Sequence, residues 1–168
     1  MHIDTDRLYL RPTTIHDIDD LLALHSEPEV REFMPPFDRD ELVDRLRHYD
    51  EEWREYGHGM FVLLASDDGR FLGRIGLKYW PQFEEAEVGW VLRREEWGHG
   101  YATEAARACA DWGFREFDYP YLTAMIRADN TRSIRVAERL GMTPRREDLL
   151  FDIPVIVHSV DRETFANS

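Results

Sequence analysis

A pair of glycines directly before a helical segment is the first feature of this sequence that could do chemistry. Gly98 and Gly100 flank His99, and a helical pattern starts at Tyr101. Glycine lets a backbone approach a ligand closely, and the first turn of a helix leaves amide groups without acceptors. Together with the helix dipole, such a turn suits a phosphate or pyrophosphate. A plain turn before a helix is the simpler interpretation of the glycines alone.

The segment lacks the marks of two common nucleotide-binding motifs. No Gly-Lys-Ser/Thr ending follows the glycines, so a P-loop for nucleotide hydrolysis is disfavoured. The third glycine and the early βαβ position of a dinucleotide-binding fold are also missing. The anion that the turn would hold therefore belongs to another class of ligand.

Hydrophobic periodicity places the glycine turn between a strand at 86–92 and a helix at 101–117. Small residues in the middle of that helix permit close packing against a sheet. Three strands in series with short connections predict an antiparallel meander. Further strands are predicted at 7–11, 60–65, 71–79, 121–127 and 153–160, and further helices after Thr14, from Asp38 to Gly57 and over 131–140. The pattern predicts one α/β (α+β) domain over residues 1–168, with a mixed, mostly antiparallel central sheet flanked by helices.

The charge of the chain limits its partners. It has 21 Lys and Arg residues against 34 Asp and Glu residues, a formal net charge of −13. Such a chain repels phosphate backbones and anionic lipid, so we expect no nucleic-acid and no membrane partner. It would attract a cationic substrate, although the charge can equally serve solubility alone.

Cysteine and histidine usage argues against a metal centre. The single cysteine, Cys109, lies among alanines on a helix face and is expected to be a buried structural thiol. No pair of histidines has metal-ligand spacing, so we expect no metal. The N-terminus shows no signal peptide and no apolar run could span a bilayer, which predicts a cytoplasmic protein.

Four segments resemble one known family. Residues 97–102, Trp-Gly-His-Gly-Tyr-Ala, are similar to the Gln/Arg-x-x-Gly-x-Gly/Ala signature of GNAT N-acetyltransferases. Asn130 and Ser133, followed by Glu-Arg-Leu-Gly-Met at 138–142, resemble the second signature of that family. Residues 5–12 and 87–90 resemble its RimJ/RimL-like branch, which acetylates the N-termini of ribosomal proteins. The similarity covers nearly the whole chain.

The resemblance implies a binding mode for acetyl-CoA as cosubstrate. In this family the fourth and fifth strands splay apart, and the pantetheine arm pairs with exposed strand backbone in the gap. The pyrophosphate would lie on the amides of the glycine turn, and Ser133 near the pantetheine or the thiol. Asn130 would bind the pantetheine, cap its helix, or do both. The implied coenzyme contacts are Val91, Leu92, Trp97, Gly98, His99, Gly100, Tyr101, Ala102, Thr103, Asn130 and Ser133.

Two positions depart from the family pattern. Trp97 stands where the first signature has Gln or Arg. A bulky aromatic residue at this position is familiar in the ribosomal-type branch. Ala137 stands where many relatives carry a tyrosine that is thought to protonate the departing thiolate. The acid would then be Ser133, another hydroxyl or solvent, or none is needed, because a thiol with a pKa of about 8.5 is a tolerable leaving group.

Acetyl transfer to an amine also needs a base, because a primary amine is mostly protonated at pH 7. Glu87, on the strand before the glycine turn, is our candidate. The alternative for Glu87 is a solvent-facing carboxylate in an acidic patch with Glu84 and Glu85.

The sequence leaves several functions open. The first is acetyl transfer to a primary amine, either a protein N-terminus, as the branch suggests, or a small cationic amine, as the net charge suggests. A non-catalytic acyl-CoA-binding or sensing module is the alternative, and the absent tyrosine favours it. A third possibility is an interaction domain that reuses the fold. Monomer and homodimer are both compatible with the sequence.

Overall fold

An eight-stranded sheet organises the chain, and the computed structural model describes all residues 1–168. The strand order is β1-β2-β3-β4-β5-β6-β8-β7, and neighbours are antiparallel except for β5 and β6. The strands are β1 (Ile3–Asp4), β2 (Leu8–Pro12), β3 (Met60–Ala65), β4 (Phe71–Trp80), β5 (Glu85–Leu92), β6 (Tyr121–Ile126), β7 (Thr143–Leu150) and β8 (Ile153–Asp161). The α/β class, the meander of β3 to β5 and the mostly antiparallel sheet are confirmed.

Six α-helices pack around the sheet, and local sequence explains several of their ends. They are α1 (Ile18–Ser26), α2 (Pro28–Arg31), α3 (Arg39–Tyr56), α4 (Tyr101–Glu116), α5 (Thr131–Arg139) and α6 (Arg162–Ala166). Asp38 and Glu41 form a reciprocal capping box at the start of α3, and Gly57 ends it in the left-handed conformation. The predicted pair of Thr14 and Asp17 forms the same box on a 3₁₀ turn before α1.

The two faces of the sheet have separate cores. The larger core lies under α4, whose Gly113 packs so closely that an added Cβ would be 3.1 Å from Leu77. The smaller core lies under α1 and α3, and includes Leu24, Leu46 and Val62. Side chains of successive residues on β4 therefore point alternately to α4 and to α1–α3.

One long strand lies outside the elements that the sequence predicts. Strand β7 reads Thr-Pro-Arg-Arg-Glu-Asp-Leu-Leu and pairs only with β8 at the edge of the sheet. Its side chains are polar on both faces, and its register shifts between Pro144 and Arg146. An edge strand needs no continuous apolar face, so hydrophobic periodicity does not reveal it. No helix of the chain combines the length and apolarity needed to cross a bilayer.

We expect the only thiol to be unreactive in the native protein. Cys109 is fully buried in α4, and burial raises the pKa of its thiol to about 12. A disulfide reagent at pH 8 should label the native chain far more slowly than the chain unfolded in guanidinium chloride. Cys109→Ala should cost about 1 kcal/mol of unfolding free energy through a small cavity. Rapid labelling of the folded protein would contradict this placement.

Candidate active site

Strands β5 and β6 separate after a single bridged pair, Glu87 with Thr123. Just before the gap, Thr123 Oγ1 donates to the carbonyl oxygen of Ala86 at 3.2 Å. The next free amide of β6, that of Met125, donates to the Glu87 carboxylate at 3.2 Å instead of to a strand carbonyl. Glu87 therefore lies at the vertex of the gap. The expected splay of the fourth and fifth predicted strands corresponds to β5 and β6.

The ladder between β4 and β5 determines which peptide groups face this gap. Arg93 donates its amide hydrogen to the Leu72 carbonyl at 2.9 Å, so alternation along the strand turns Val91 toward β4 as well. A Cβ built on Gly73 would collide with the Val91 carbonyl oxygen, which confirms that direction. The peptide groups of Leu92 face the gap as expected. For Val91 the structure differs from the prediction, because its peptide groups face β4. Those of Trp90 face the gap together with those of Leu92.

The glycine turn forms a cradle of free amides. Gly98 and Gly100 have φ angles of 80° and 78°, a left-handed conformation that favours glycine. The backbone amides of residues 98–103 donate no hydrogen bond to another backbone group in the loops or at the helix caps. The buried hydroxyl of Thr103 also has no partner, and a Cβ on Gly98 would meet nothing within 4 Å. Open space, free donors and a helix N-terminus fit a pyrophosphate.

An ion pair that the sequence did not predict holds the cradle in place. Glu104, in the first turn of α4, accepts hydrogen bonds from Thr5 and from the guanidinium of Arg7. Arg7 also donates to the carbonyl oxygen of His99 at 2.8 Å. Burial alone would raise the pKa of Glu104, but the bonds from Thr5 and Arg7 outweigh it and lower that pKa. The segment just before β2 thus fixes the turn through contacts that are remote in sequence.

Trp97 replaces the usual polar residue and has two roles of its own. Its indole Nε1 donates to the Leu92 carbonyl at 3.0 Å, at the open end of the gap. The guanidinium carbon atoms of Arg132 and Arg94 lie 3.2 and 4.8 Å from the centre of its rings. Burial and then the nearby charge of Arg94 lower the pKa of Arg132. Two cations that the sequence did not single out therefore lie beside the cradle.

Helix α5 forms the opposite wall of the gap. The Asn130 side-chain oxygen accepts from the Ser133 amide at 3.4 Å, which caps the helix. Its amide nitrogen donates to no protein acceptor, so capping and ligand binding are compatible in one side chain. Ser133 lines the cavity between the strands. Ala137 is fully buried and brings no hydroxyl to this wall.

A cavity of about 300 Å³ joins the gap to the face of the sheet under α1–α3. Apolar side chains form most of its wall, with Met34 and Phe37 from the α2–α3 connection among them. At its mouth, Trp80 packs against Phe151 with ring centres 5.8 Å apart. Phe151 is 73% exposed and begins the β7–β8 turn with a positive φ of 48°. The cavity has room for an acceptor molecule beside Glu87.

Glu87 is the titratable group between the two halves of this cavity, which are the β5–β6 gap and the space under α1–α3. Burial raises the pKa of its carboxyl to about 7, while the Met125 amide and the charges of Lys78 and Arg74 act in the opposite direction. A carboxyl with this pKa exchanges protons readily near neutral pH. Its predicted neighbours Glu84 and Glu85 do not line the cavity.

The fold and the site define an acyl-CoA-dependent acetyltransferase, and comparison with known proteins agrees. A family described as Acetyltransferase (GNAT) domain matches residues 7–143. Bacillus subtilis YkkB is 35% identical over 161 residues, which cover 92% of each chain. The N-acetyltransferase p20 of Bacillus licheniformis is 30% identical over 152 residues, 88% of this chain and 84% of that protein. The chain belongs to the GNAT acetyltransferase family.

Solved structures show the same fold. The acetyltransferase of Agrobacterium tumefaciens superposes with a TM-score of 0.85 at 30% identity, over 95% of this chain and 94% of that one. RimL, a ribosomal L7/L12 α-N-protein acetyltransferase in complex with coenzyme A, has a TM-score of 0.82 at 16% identity, over 96% and 98%. The aminoglycoside acetyltransferase AAC(6')-Ib with coenzyme A and kanamycin has a TM-score of 0.81 at 16% identity, over the same shares. The last two likenesses concern the fold alone.

Gly98→Ala tests the cradle. We expect it to weaken CoA binding by about tenfold or more, or about 1.4 kcal/mol, because the left-handed turn must rearrange. Gly57→Ala is the matched control, since Gly57 has a φ of 73° and lies beside Phe117, at the opposite end of α4 from the cradle. Both variants should lose similar unfolding free energy in urea. Calorimetric CoA affinity that falls equally in both, or in neither, would contradict the cradle.

Proposed function

We propose that this chain transfers an acetyl group from acetyl-CoA to a primary amine. The observation that carries the proposal is the position of Glu87. A carboxyl with a pKa of about 7 lies at the vertex where the coenzyme gap meets the acceptor cavity. A surface carboxylate, the alternative interpretation of Glu87, would keep an ordinary pKa.

The coenzyme half of the site uses backbone groups more than side chains. Amides of residues 98–103 hold the pyrophosphate, with Trp97 and its two arginines beside it. The gap-facing peptide groups of Trp90 and Leu92 and the Asn130 amide hold the pantetheine arm. Leu92 retains a lone pair for a ligand, because a carbonyl oxygen accepts two hydrogen bonds and Trp97 uses one. Acetyl-CoA supplies the acetyl group as a thioester.

Glu87 prepares the acceptor. An amine enters as the ammonium ion, and the ionised carboxylate takes one proton, directly or through water. The neutral amine then faces the thioester carbon across the vertex. A gap-facing amide of β5 stabilises the negative charge that develops on the carbonyl oxygen. As the C–N bond forms and the C–S bond breaks, the nitrogen loses its second proton. Ser133, or solvent in its place, relays that proton to the departing thiolate, since Ala137 supplies no acid.

Ala137 is the observation that favours a non-catalytic acyl-CoA-binding module as a second candidate. Release of free thiol from acetyl-CoA in the presence of a panel of amines separates the two functions. We expect thiol release that depends on both the amine and the enzyme, and the buried Cys109 does not contribute to the signal. Tight CoA binding without thiol release from any amine would favour the binding module.

The acceptor has two candidate classes within the proposal. RimL acts on a protein N-terminus, and AAC(6')-Ib is solved with an aminoglycoside. Both classes present a primary amine to the same fold. The side chains that line the acceptor half of the cavity must select between them.

Glu87→Gln tests the base through the pH dependence of kcat at saturating acceptor. In the native enzyme kcat should rise about tenfold per pH unit below 7 and level off above it, because only the ionised form accepts a proton. Glu87→Gln should lose this inflection and about a hundredfold of kcat at pH 8. An unchanged profile in the variant would remove Glu87 from the mechanism.

The same variant has an opposite effect on stability. The pKa of Glu87 is about 7 in the folded chain against its ordinary value of 4.5, so the folded state binds the proton more tightly. Stability is therefore lost as the pH rises from 4.5 through 7. Glu87→Gln removes this loss and should raise the unfolding free energy by about 2 to 3 kcal/mol at pH 8, and by little at pH 4. Urea titrations at both pH values check it.

A further inference from the structure

We propose that the acceptor amine carries an anionic group of the carboxylate class, and that Arg74 and Arg45 bind it in the half of the cavity under α1–α3. This inference rests on the proposed function and specifies its acceptor. It starts from a buried cation with which no carboxylate of the chain forms an ion pair.

Arg74 lies on β4 and is 6% exposed. Its Nε donates to His25 Nε2 at 3.1 Å, and its Nη1 lies 3.6 Å from the sulfur of Met60. No carboxylate forms an ion pair with it, and Nη2 has no partner. A guanidinium is rarely buried without a negative partner, because its desolvation is costly.

Neither neighbour supplies negative charge. Burial and then the charges of Arg74 and Arg45 lower the pKa of His25 to about 3, so the ring is neutral at pH 7. Because Nε2 accepts the bond from Arg74, Nδ1 carries the proton, and this buried donor has no acceptor. The Met60 thioether is only a weak acceptor. Donors outnumber acceptors throughout this cluster.

Arg45 adds a second unpaired cation from the opposite wall. It projects from α3 with its guanidinium carbon 5.1 Å from the centre of the Phe37 ring, and it has no carboxylate partner. Arg45 and Arg74 both line the cavity, and both charges act on His25. By contrast, Lys78 in the same cavity is matched by Glu52 at 2.7 Å. In a chain with 34 acidic residues, two arginines without a carboxylate partner on the α1–α3 side of the cavity favour an anionic ligand.

Other charges of the cavity do not fill this role. The Glu87 carboxylate bonds to the Met125 amide and pairs in register with Lys78, four residues from Arg74 along β4. Glu29 is the remaining carboxylate on the wall, and it is exposed and forms no ion pair. The pyrophosphate cradle belongs to α4, on the opposite face of the sheet from His25 and Arg74.

The spacing of the charges describes the ligand. Four residues of an antiparallel strand span about 13 Å between Cα atoms, and the long side chains of Glu87 and Arg74 shorten that distance. An amine at Glu87 and an anion at Arg74 are therefore separated by several bonds. An ω-amino acid, a short peptide, or a protein N-terminus followed by an acidic side chain meets this requirement. A polyamine does not.

Matched acceptors test the proposal. We expect kcat/KM for 6-aminohexanoate to exceed that for 6-aminohexanamide by about tenfold to a hundredfold, the range for hydrogen bonds to a charged group. A second pair separates the sources of the anion: a C-terminally amidated peptide with Glu at its second position, and the same peptide with Gln. A preference for Glu in the peptide pair alone identifies a protein-like acceptor. Equal rates within both pairs would overturn the proposal.

Arg74→Met separates binding from a structural role. We expect the acid-over-amide ratio to fall toward one, while the thermal midpoint of the unliganded protein rises, because an unpaired buried charge is removed. Arg47→Gln, on the exposed side of α3, is the matched control and should keep the ratio. A retained ratio together with a lower midpoint in Arg74→Met would show a structural arginine and overturn the proposal.

A binding measurement keeps this test independent of catalysis. With CoA bound, 6-aminohexanoate should raise the thermal midpoint of the native protein and leave that of Arg74→Met unchanged, and 6-aminohexanamide should raise neither. That result without any acetylation would support the anion site while the proposed function fails. No midpoint shift and no rate preference would overturn the anion site itself.

Discussion

The separation of β5 from β6 after one bridged pair is the constraint on which the rest of the structure depends. Strand edges inside a protein leave peptide groups that need partners. Here side chains satisfy the two ends of the gap: Glu87 accepts the Met125 amide at the vertex, and Trp97 donates to the Leu92 carbonyl at the open end. The peptide groups between those ends remain available, so the gap stays open to a ligand instead of closing into a continuous sheet.

Features encoded within a few residues could be predicted from the sequence. The capping boxes, the strand meander and the glycine turn each depend on local spacing, and the structure contains all of them. Strand β7 was not predicted, because a polar strand at the edge of a sheet lacks the alternation of apolar and polar residues. The direction of the Val91 peptide groups depends on the pairing of Arg93 with Leu72, which no pattern within β5 reveals. The ion pair of Arg7 with Glu104 joins residues 97 positions apart, so only the folded structure reveals it.

The net charge of the chain does not describe the charges that line the cavity. The chain carries a formal charge of −13, which suggested a cationic acceptor. Its acidic residues are mostly spread over the surface, where water and salt screen them. The interior of the site holds arginines on both faces of the sheet, beside Trp97 on one and beside His25 on the other. The charges that face a ligand there depend on which side chains line the cavity, and not on the total charge of the chain.

The aromatic pair at the cavity mouth has an evolutionary consequence. Phe151 is largely solvated and lies on a hairpin turn, whereas the free hydrogen-bond donors of the glycine turn are main-chain amides. Replacing an exposed turn residue disturbs little packing, so its cost to folding is small. Descendants of this chain can therefore reshape the entrance one substitution at a time while the donor half stays intact. Because the entrance and the donor half are built from different groups, the choice of acceptor can diverge while the chemistry stays the same.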